Sequence, residues 1–234
     1  MKIMSFNTQH CLNYIEQKID FDIMAHAIKT CDADIIGLNE MRGECATASD
    51  YADQTAILSD LTNIKNSYFA EAIKFGGTKP YGNAMLSKLP IISAETIIIP
   101  DPEVKKYDEY YETRCILKAK LQGDITVLIT HIGLNPDEQE NAVNTILQNL
   151  SDKRCILMGD FNMQPDNPFL IPIRKRMVDA ARYFNEPKLS FPSDKPEIKI
   201  DYIFVSPDIE VVNADIPNIV AADHRPHTAE VIIK

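Results

Sequence analysis

Apolar residues recur along this chain in two rhythms. Ile3 to Phe6 has the length of a short buried strand, whereas Ile23, Ala27, Ile28 and Cys31 return at helical spacing. Asp34 to Leu38 carries a second short apolar run, and Gln54 to Leu61 predicts another helix. Three strands follow, over Tyr68 to Ile73, Asn83 to Ser87 and Ile91 to Ile99, the last rich in the β-branched residues that suit a pleated surface. Pro100 to Tyr111 is polar, with two prolines and four acids, and reads as a loop. Thr113 to Leu121 and Ile125 to Thr130 flank Gln122-Gly123-Asp124 and predict a hairpin. Val143, Ile146, Leu147 and Leu150 form one stripe of a helix from Asp137 to Leu150, with Pro136 at its entrance. Cys155 to Met158 is a further strand, Ile173 to Phe184 has a helical pattern, and strands over Tyr202 to Val205, Ile209 to Val212 and Thr228 to Ile233 complete the series. Interleaved strands and helices with hairpins predict an α/β (α+β) chain whose sheets are mixed or antiparallel. No repeat or Gly/Ser linker divides it, so residues 1–234 read as one domain.

The polar residues that follow the apolar runs carry the chemistry. Asn7 ends the first strand and Glu40 the second; His131 follows Val127-Leu128-Ile129-Thr130; Asp160 and Asn162 follow Ile156-Leu157-Met158-Gly159. Asp201 opens Asp-Tyr-Ile-Phe-Val, and Asp223 and His224 precede the last strand. Any one of these is an ordinary loop or capping residue when taken singly, and His131 alone reads as a structural histidine. A rigid scaffold that aims acids, amides and imidazoles from so many strand ends is suited to one shared pocket. The set suits phosphoryl transfer. A hard cation such as Mg²⁺ takes oxygen ligands, which Glu40 supplies with charge and Asn7 as a neutral oxygen or amide contact. Histidines polarise a phosphoryl oxygen, take a proton, or hold an anion when protonated. Asp160 can orient or activate water, and Asp201 can fix the tautomer of His224.

Charge narrows the substrate. Twenty-four basic against thirty-four acidic residues leave a formal net charge of −10, which repels nucleic acid at long range. A nucleic-acid substrate is therefore disfavoured, though a bound metal offsets charge locally. Five cysteines, an odd number without a CxxC pair, are expected as reduced core residues, and no leader or run of about 20 apolar residues is visible. A cytoplasmic protein without a transmembrane segment is expected, and no segment marks a protein partner. Arg174-Lys175-Arg176 reads either as a solvated helix face or as a grip for an anion. Lys105-Lys106 with Tyr107, Tyr110 and Tyr111 reads either as a substrate-facing loop or as plain surface. His10, His26 and His227 make no strong claim.

The stretches Ser-Phe-Asn (5–7), Leu-Asn-Glu (38–40), Gly-Asn-Ala-Met-Leu-Ser (82–87), Glu-Thr-Arg (112–114), Thr-His (130–131), Gly-Asp-Phe-Asn (159–162), Ile-Asp-Tyr-Ile-Phe (200–204) and Ala-Asp-His-Arg-Pro (222–226) occur in one order. In that order they resemble the motif series of the endonuclease/exonuclease/phosphatase superfamily. The resemblance implies a DNase I-like fold, a four-layer sandwich of two packed mixed β-sheets flanked by helices. It also implies Mg²⁺- or Mn²⁺-assisted attack of water on a phosphoester. Carried over by position, Glu40, Asn7 and Asp223 are the metal residues, Asp223 binding directly, through water, or by orienting His224. Asp160 positions the water or protonates the leaving group, Asn162 and His131 hold the phosphate, and His224, oriented by Asp201 or Asp223, acts as the base or stabilises charge on the phosphate. Arg114 reads either as a substrate-phosphate contact or as a surface ion pair, and Asn83 either as a substrate contact or as a support of the site through backbone bonds. The departures are Asn39 where Gln is commoner, Gln9 where many family nucleases have an acid, and Ala222 where Ser is frequent. The expected activity is hydrolysis of a small-molecule or lipid-derived phosphodiester or phosphomonoester. A DNA nuclease of the same chemistry is the alternative, and a non-catalytic binding module is less favoured.

Overall fold

The computed structural model describes residues 1–48 and 51–233. In chain order its elements are β1 (Lys2–Asn7), β2 (Leu12–Asn13), β3 (Lys18–Ile19), α1 (Phe21–Cys31), β4 (Ile35–Arg42), α2 (Gln54–Thr62), β5 (Asn66–Phe75), β6 (Lys79–Ser87), β7 (Ile91–Ile98), β8 (Cys115–Leu121), β9 (Ile125–His131), α3 (Pro136–Asn149), β10 (Cys155–Asp160), α4 (Leu170–Arg176), β11 (Val178–Asp179), β12 (Asp201–Val205), β13 (Ile209–Asp215) and β14 (His227–Ile233). Side-chain caps and local prolines set the helix entrances. Asp20 accepts from the Ile23 amide and Asp53 from the Ala56 amide. Pro136 opens α3 while Glu138 accepts from the Asn135 amide.

Two six-stranded sheets form the centre, in the orders β13-β14-β1-β4-β6-β5 and β11-β12-β10-β9-β8-β7. Both are mixed: β1 runs parallel to β4 and β9 to β10, and the other neighbours are antiparallel. Period-two alternation sends successive residues of the central strands to different cores. Ile3 and Ile35 enter the core between the sheets, while Met4, Phe6, Ile36 and Leu38 pack with α1 residues such as Met24 and Ile28. In the second sheet Ile129, Met158 and Ile203 enter the shared core, while Leu128, Leu157 and Phe204 pack with Val143 and Ile146 of α3. The result is the α/β/β/α layering expected from the motif series. Burial on both faces explains why these strands read as unbroken apolar runs.

The expected helix over Ile173 to Phe184 is a correction. The helical segment ends at Arg176 because Val178 and Asp179 pair with Val205 and Phe204 of β12, and a 3-10 turn over Ala180–Tyr183 follows. Pairing with a strand distant in sequence overrides the local helical pattern. On α4, Arg174 pairs with the buried Asp179 and Arg176 with the exposed Asp152, so both guanidiniums are engaged in ion pairs of the fold. All five cysteines are buried, and no disulfide joins them among the described residues. No helix among those residues is long and apolar enough to cross a membrane.

Candidate active site

The inward-facing positions continue past the apolar core to a polar end. The series 3-5-7 on β1, 35-37-39 on β4, 127-129-131 on β9, 156-158-160 on β10 and 205-203-201 on β12 end in Asn7, Asn39, His131, Asp160 and Asp201. The same alternation that packs the core therefore gathers these side chains at one rim of the two sheets. Glu40 joins them by a different route. Register shifts between Leu38 and Met41, and Glu40 has a left-handed backbone (φ 61°). Gly159 is needed for close approach: its φ is 147°, and a β-carbon there would collide with the Thr130 carbonyl, so glycine lets β10 lie against β9 beside Asp160.

Asp160 is the focus. Its Oδ2 accepts from Asn7 Nδ2 at 3.0 Å and lies 3.6 Å from both His131 Nε2 and His224 Nε2. Its Oδ1 accepts from the Asn162 amide at 2.9 Å. Asn7 Nδ2 also donates to Glu40 Oε1 at 3.0 Å, tying the first carboxylate to Asp160. His224 Nδ1 is 2.8 Å from Asp201 Oδ2, with both side chains buried. Asn162 has a left-handed backbone (φ 50°) that turns its Nδ2 to the Ile132 carbonyl at 2.9 Å and to within 3.2 Å of His131 Nε2.

Burial dominates the electrostatics. It pushes the Asp160 carboxyl above the usual range, with His224 opposing and Asp201 reinforcing the shift. It pushes Asp223 up to about 6, again with His224 opposing and Glu40 reinforcing. For His224, burial works against the charge, but Asp201 and Asp160 outweigh it and raise the imidazole to about 10. His131 goes the other way: burial, then Arg114, then His224 hold it well below the ordinary imidazole value.

The oxygen-rich edge suits a hard divalent cation. Asp223 Oδ1 is buried without a hydrogen-bond partner, and Glu40 and Asp223 repel each other across the same space. Asp160, Asp201 and His224 also bring ligand-type atoms within 4.8 Å of one another. That trio reads as a hydrogen-bonded unit, because Asp201 Oδ2 and His224 Nδ1 already face each other at 2.8 Å.

Two expected substrate residues turn inward. Asn83 accepts from Asn39 Nδ2 at 2.7 Å and donates to the Cys115 carbonyl at 3.0 Å. Arg114 Nη1 lies 2.8 Å from His131 Nδ1 and 2.6 Å from Glu112 Oε1. Four neighbours escaped the sequence reading. His10, in a left-handed turn over Gln9–Cys11, places Nδ1 4.0 Å from Glu40 Oε2. The Tyr81 hydroxyl faces Glu40, Glu112 backs Arg114, and the Phe191 ring packs 4.8 Å from that of His224. Only the spacing of Glu112-Thr-Arg114 carried a signal; the other three depend on tertiary approach.

Fold and site together define a DNase I-like α/β/β/α protein with an acid–imidazole–amide centre at the rim of its paired sheets. The sequence profile described as Endonuclease/Exonuclease/phosphatase family matches residues 4–224, and the chain belongs to that family. Its members are hydrolytic phosphoesterases. Among solved structures, the endonuclease/exonuclease/phosphatase of Beutenbergia cavernae is similar at TM-score 0.78 and 18% identity, covering 100% of this chain and 71% of that one. A mannosyl-6-phosphatase of Bacteroides thetaiotaomicron is similar at TM-score 0.76 and 15% identity, covering 100% of both chains. The human Nocturnin catalytic domain, solved with a bound sulfate anion, is similar at TM-score 0.73 and 14% identity, covering 100% of this chain and 94% of that one. These identities speak to the fold. No curated protein matches the chain in sequence at a significant level.

Proposed function

We propose that this chain is a divalent-metal-dependent hydrolase in which water attacks the phosphorus of a small-molecule or lipid-derived phosphoester. The observation that carries this is the convergence of Asn7, His131 and His224 on Asp160 Oδ2, at 3.0, 3.6 and 3.6 Å. Asp160, with its carboxyl raised by burial, orients the water and takes its proton. His224, kept protonated by Asp201 and Asp160, faces the phosphoryl group as a cation. Asn162 and His131 donate to the phosphate oxygens. Glu40 and Asp223, with Asn7 holding Glu40 in place, are the residues that would hold Mg²⁺ or Mn²⁺. A bound ion supplies Lewis-acid stabilisation of charge on the phosphoryl and leaving-group oxygens. Asn83, with both ends of its amide used internally, supports the site through Asn39.

The net charge of −10 weighs against a polyanionic substrate. The test is hydrolysis of a chromogenic bis-phosphoester, a sugar phosphate, sphingomyelin, inositol phosphates, abasic DNA and plasmid DNA. Each is run with Mg²⁺, Mn²⁺, Ca²⁺ or EDTA, beside Asp160→Ala and His224→Ala. Metal-dependent turnover of a small or lipid substrate, abolished by EDTA and in both variants, is the expected result. Turnover confined to DNA would replace the substrate class with a nuclease. Silence from folded protein that also binds no metal would sink the catalytic reading.

A further inference from the structure

Arginine does not accept hydrogen bonds. Its guanidinium carries five N–H donors and no lone pair at neutral pH. Arg114 Nη1 lies 2.8 Å from His131 Nδ1, so Nδ1 must present its lone pair and the ring proton must sit on Nε2. We propose that Glu112 and Arg114 are positioning residues that lock His131 as a neutral Nε2–H donor aimed into the active site. This rests on the phosphoesterase reading for its role in turnover.

Three contacts make the lock. Glu112 Oε1 lies 2.6 Å from the same Arg114 Nη1 that meets His131, and the side chains of Glu112, Arg114 and His131 are all almost wholly buried. The pair therefore presents a fixed, charge-compensated donor to the back of the imidazole. On the front, Nε2 faces Asp160 Oδ2 at 3.6 Å and the Asn162 amide nitrogen at 3.2 Å. Asp160 Oδ2 lies beyond hydrogen-bonding distance of Nε2, and Asn162 Nδ2 is a donor that gives one N–H to the Ile132 carbonyl, so its other N–H has to turn aside and the Nε2 proton is left for a substrate oxygen. Adding a second proton at Nδ1 would set N–H against N–H across 2.8 Å. An imidazolium is excluded by sterics and charge, and so is a base that uses its Nε2 lone pair. Histidine can serve a phosphoryl site in three ways, as cation, as base or as neutral donor. Arg114 selects the last and leaves proton transfer to the Asp160 and His224 side. Arg114 Nη1 is committed to this contact, and through it the charge of Arg114 acts on the substrate by way of the polarised imidazole.

The test is the ¹⁵N signature of the His131 ring in the full-length, metal-free protein at neutral pH, assigned by comparison with His131→Gln. The wild type is expected to show a bare Nδ1 and a protonated Nε2. Arg114→Met should convert the ring to a mixture of tautomers or to imidazolium, and Glu112→Gln should shift it in the same direction by less. Should Arg114→Met not fold, Arg114→Gln, which removes the obligate donor, and Glu112→Gln carry the same readout. In steady-state assays on whichever substrate the enzyme turns over, Arg114→Met is expected to lower kcat by about 10- to 100-fold with KM changed less than about threefold. That split is the mark of an interaction that strengthens in the transition state. An Nδ1–H tautomer or an imidazolium in the wild type would overturn the proposal, as would a folded Arg114→Met protein with an unaltered His131 spectrum. A rise confined to KM would instead assign Arg114 to direct substrate binding and also overturn it. If the expected spectrum is found in a protein that turns over no phosphoester, the lock stands and the function proposed above fails.

Discussion

Two histidines stand at the same distance from one carboxylate oxygen, with opposite charges behind them. His131 Nε2 and His224 Nε2 each lie 3.6 Å from Asp160 Oδ2. Behind His131 is a cation, Arg114, at 2.8 Å; behind His224 is an anion, Asp201, also at 2.8 Å. Both rings are buried, so desolvation acts on both in the same sense. The groups around each ring then separate them: burial, reinforced by Arg114, holds His131 well below the ordinary imidazole value, while Asp201 and Asp160 overcome burial and raise His224 to about 10. Identical side chains in one cleft thus acquire different tasks from the charge behind them, not from their distance to the reacting centre.

Asp160 is shared by the pair, and Asp160→Asn is expected to have the largest effect, a loss of about 10³- to 10⁴-fold in kcat with the fold intact by circular dichroism. Retention of more than about a tenth of wild-type kcat would remove Asp160 from the chemistry. The two histidines then separate by substitution. Glutamine is a neutral donor, so His131→Gln should keep more activity than His131→Ala, each within about 10²- to 10³-fold of wild type. His224→Gln loses the cation and should be as inactive as His224→Ala. Equal losses for both His131 variants would break the contrast.

Stability against pH sharpens it further in metal-free protein. The His224 pKa in the folded state, about 10, lies above the ordinary value of about 6.5. Its stabilisation is therefore whole below about pH 6.5 and is lost as pH rises through about 10. The gap in urea midpoint between wild type and His224→Gln should close over that range. The His131 pKa in the folded state is depressed, so its contribution is present above about pH 6.5 and is lost as pH falls. The gap to His131→Gln should close in the acid direction. Gaps that move together with pH would contradict the opposed charges behind the two rings. The smallest expected effect is on support. Asn39→Leu strips partners from Asp160 N, Asn83 Oδ1 and the Thr130 carbonyl and should cost about 1–3 kcal/mol, measured by urea unfolding.

Much of this arrangement was legible in the chain. Asn7, His131, Asp160 and Asp201 follow or open apolar runs, and alternation along a doubly buried strand fixes which face each joins. Glu40 was legible only as a residue at a strand end. Its aim comes from the register shift after Leu38, which leaves no mark in the local pattern. Ile173 to Phe184 misled because its helical spacing is genuine, while Val178 and Asp179 answer to β12. His10 carries no local signal, because its place at the site depends on a turn with positive φ and a glutamate thirty residues on. The charge of Arg114 is visible in the sequence, but the placement of its Nη1 behind an imidazole depends on the tertiary approach of β9.

Asn39 has a consequence in time as well as in space. Its single amide spans the two sheets through bonds to residues 44, 91 and 121 positions away. Contacts of such sequence separation form slowly, because loop entropy is lost before they repay it. The amide cannot be satisfied until strands from both sheets have docked. During refolding, helix signal should return first and catalytic turnover last, so that turnover reports the arrival of the whole chain.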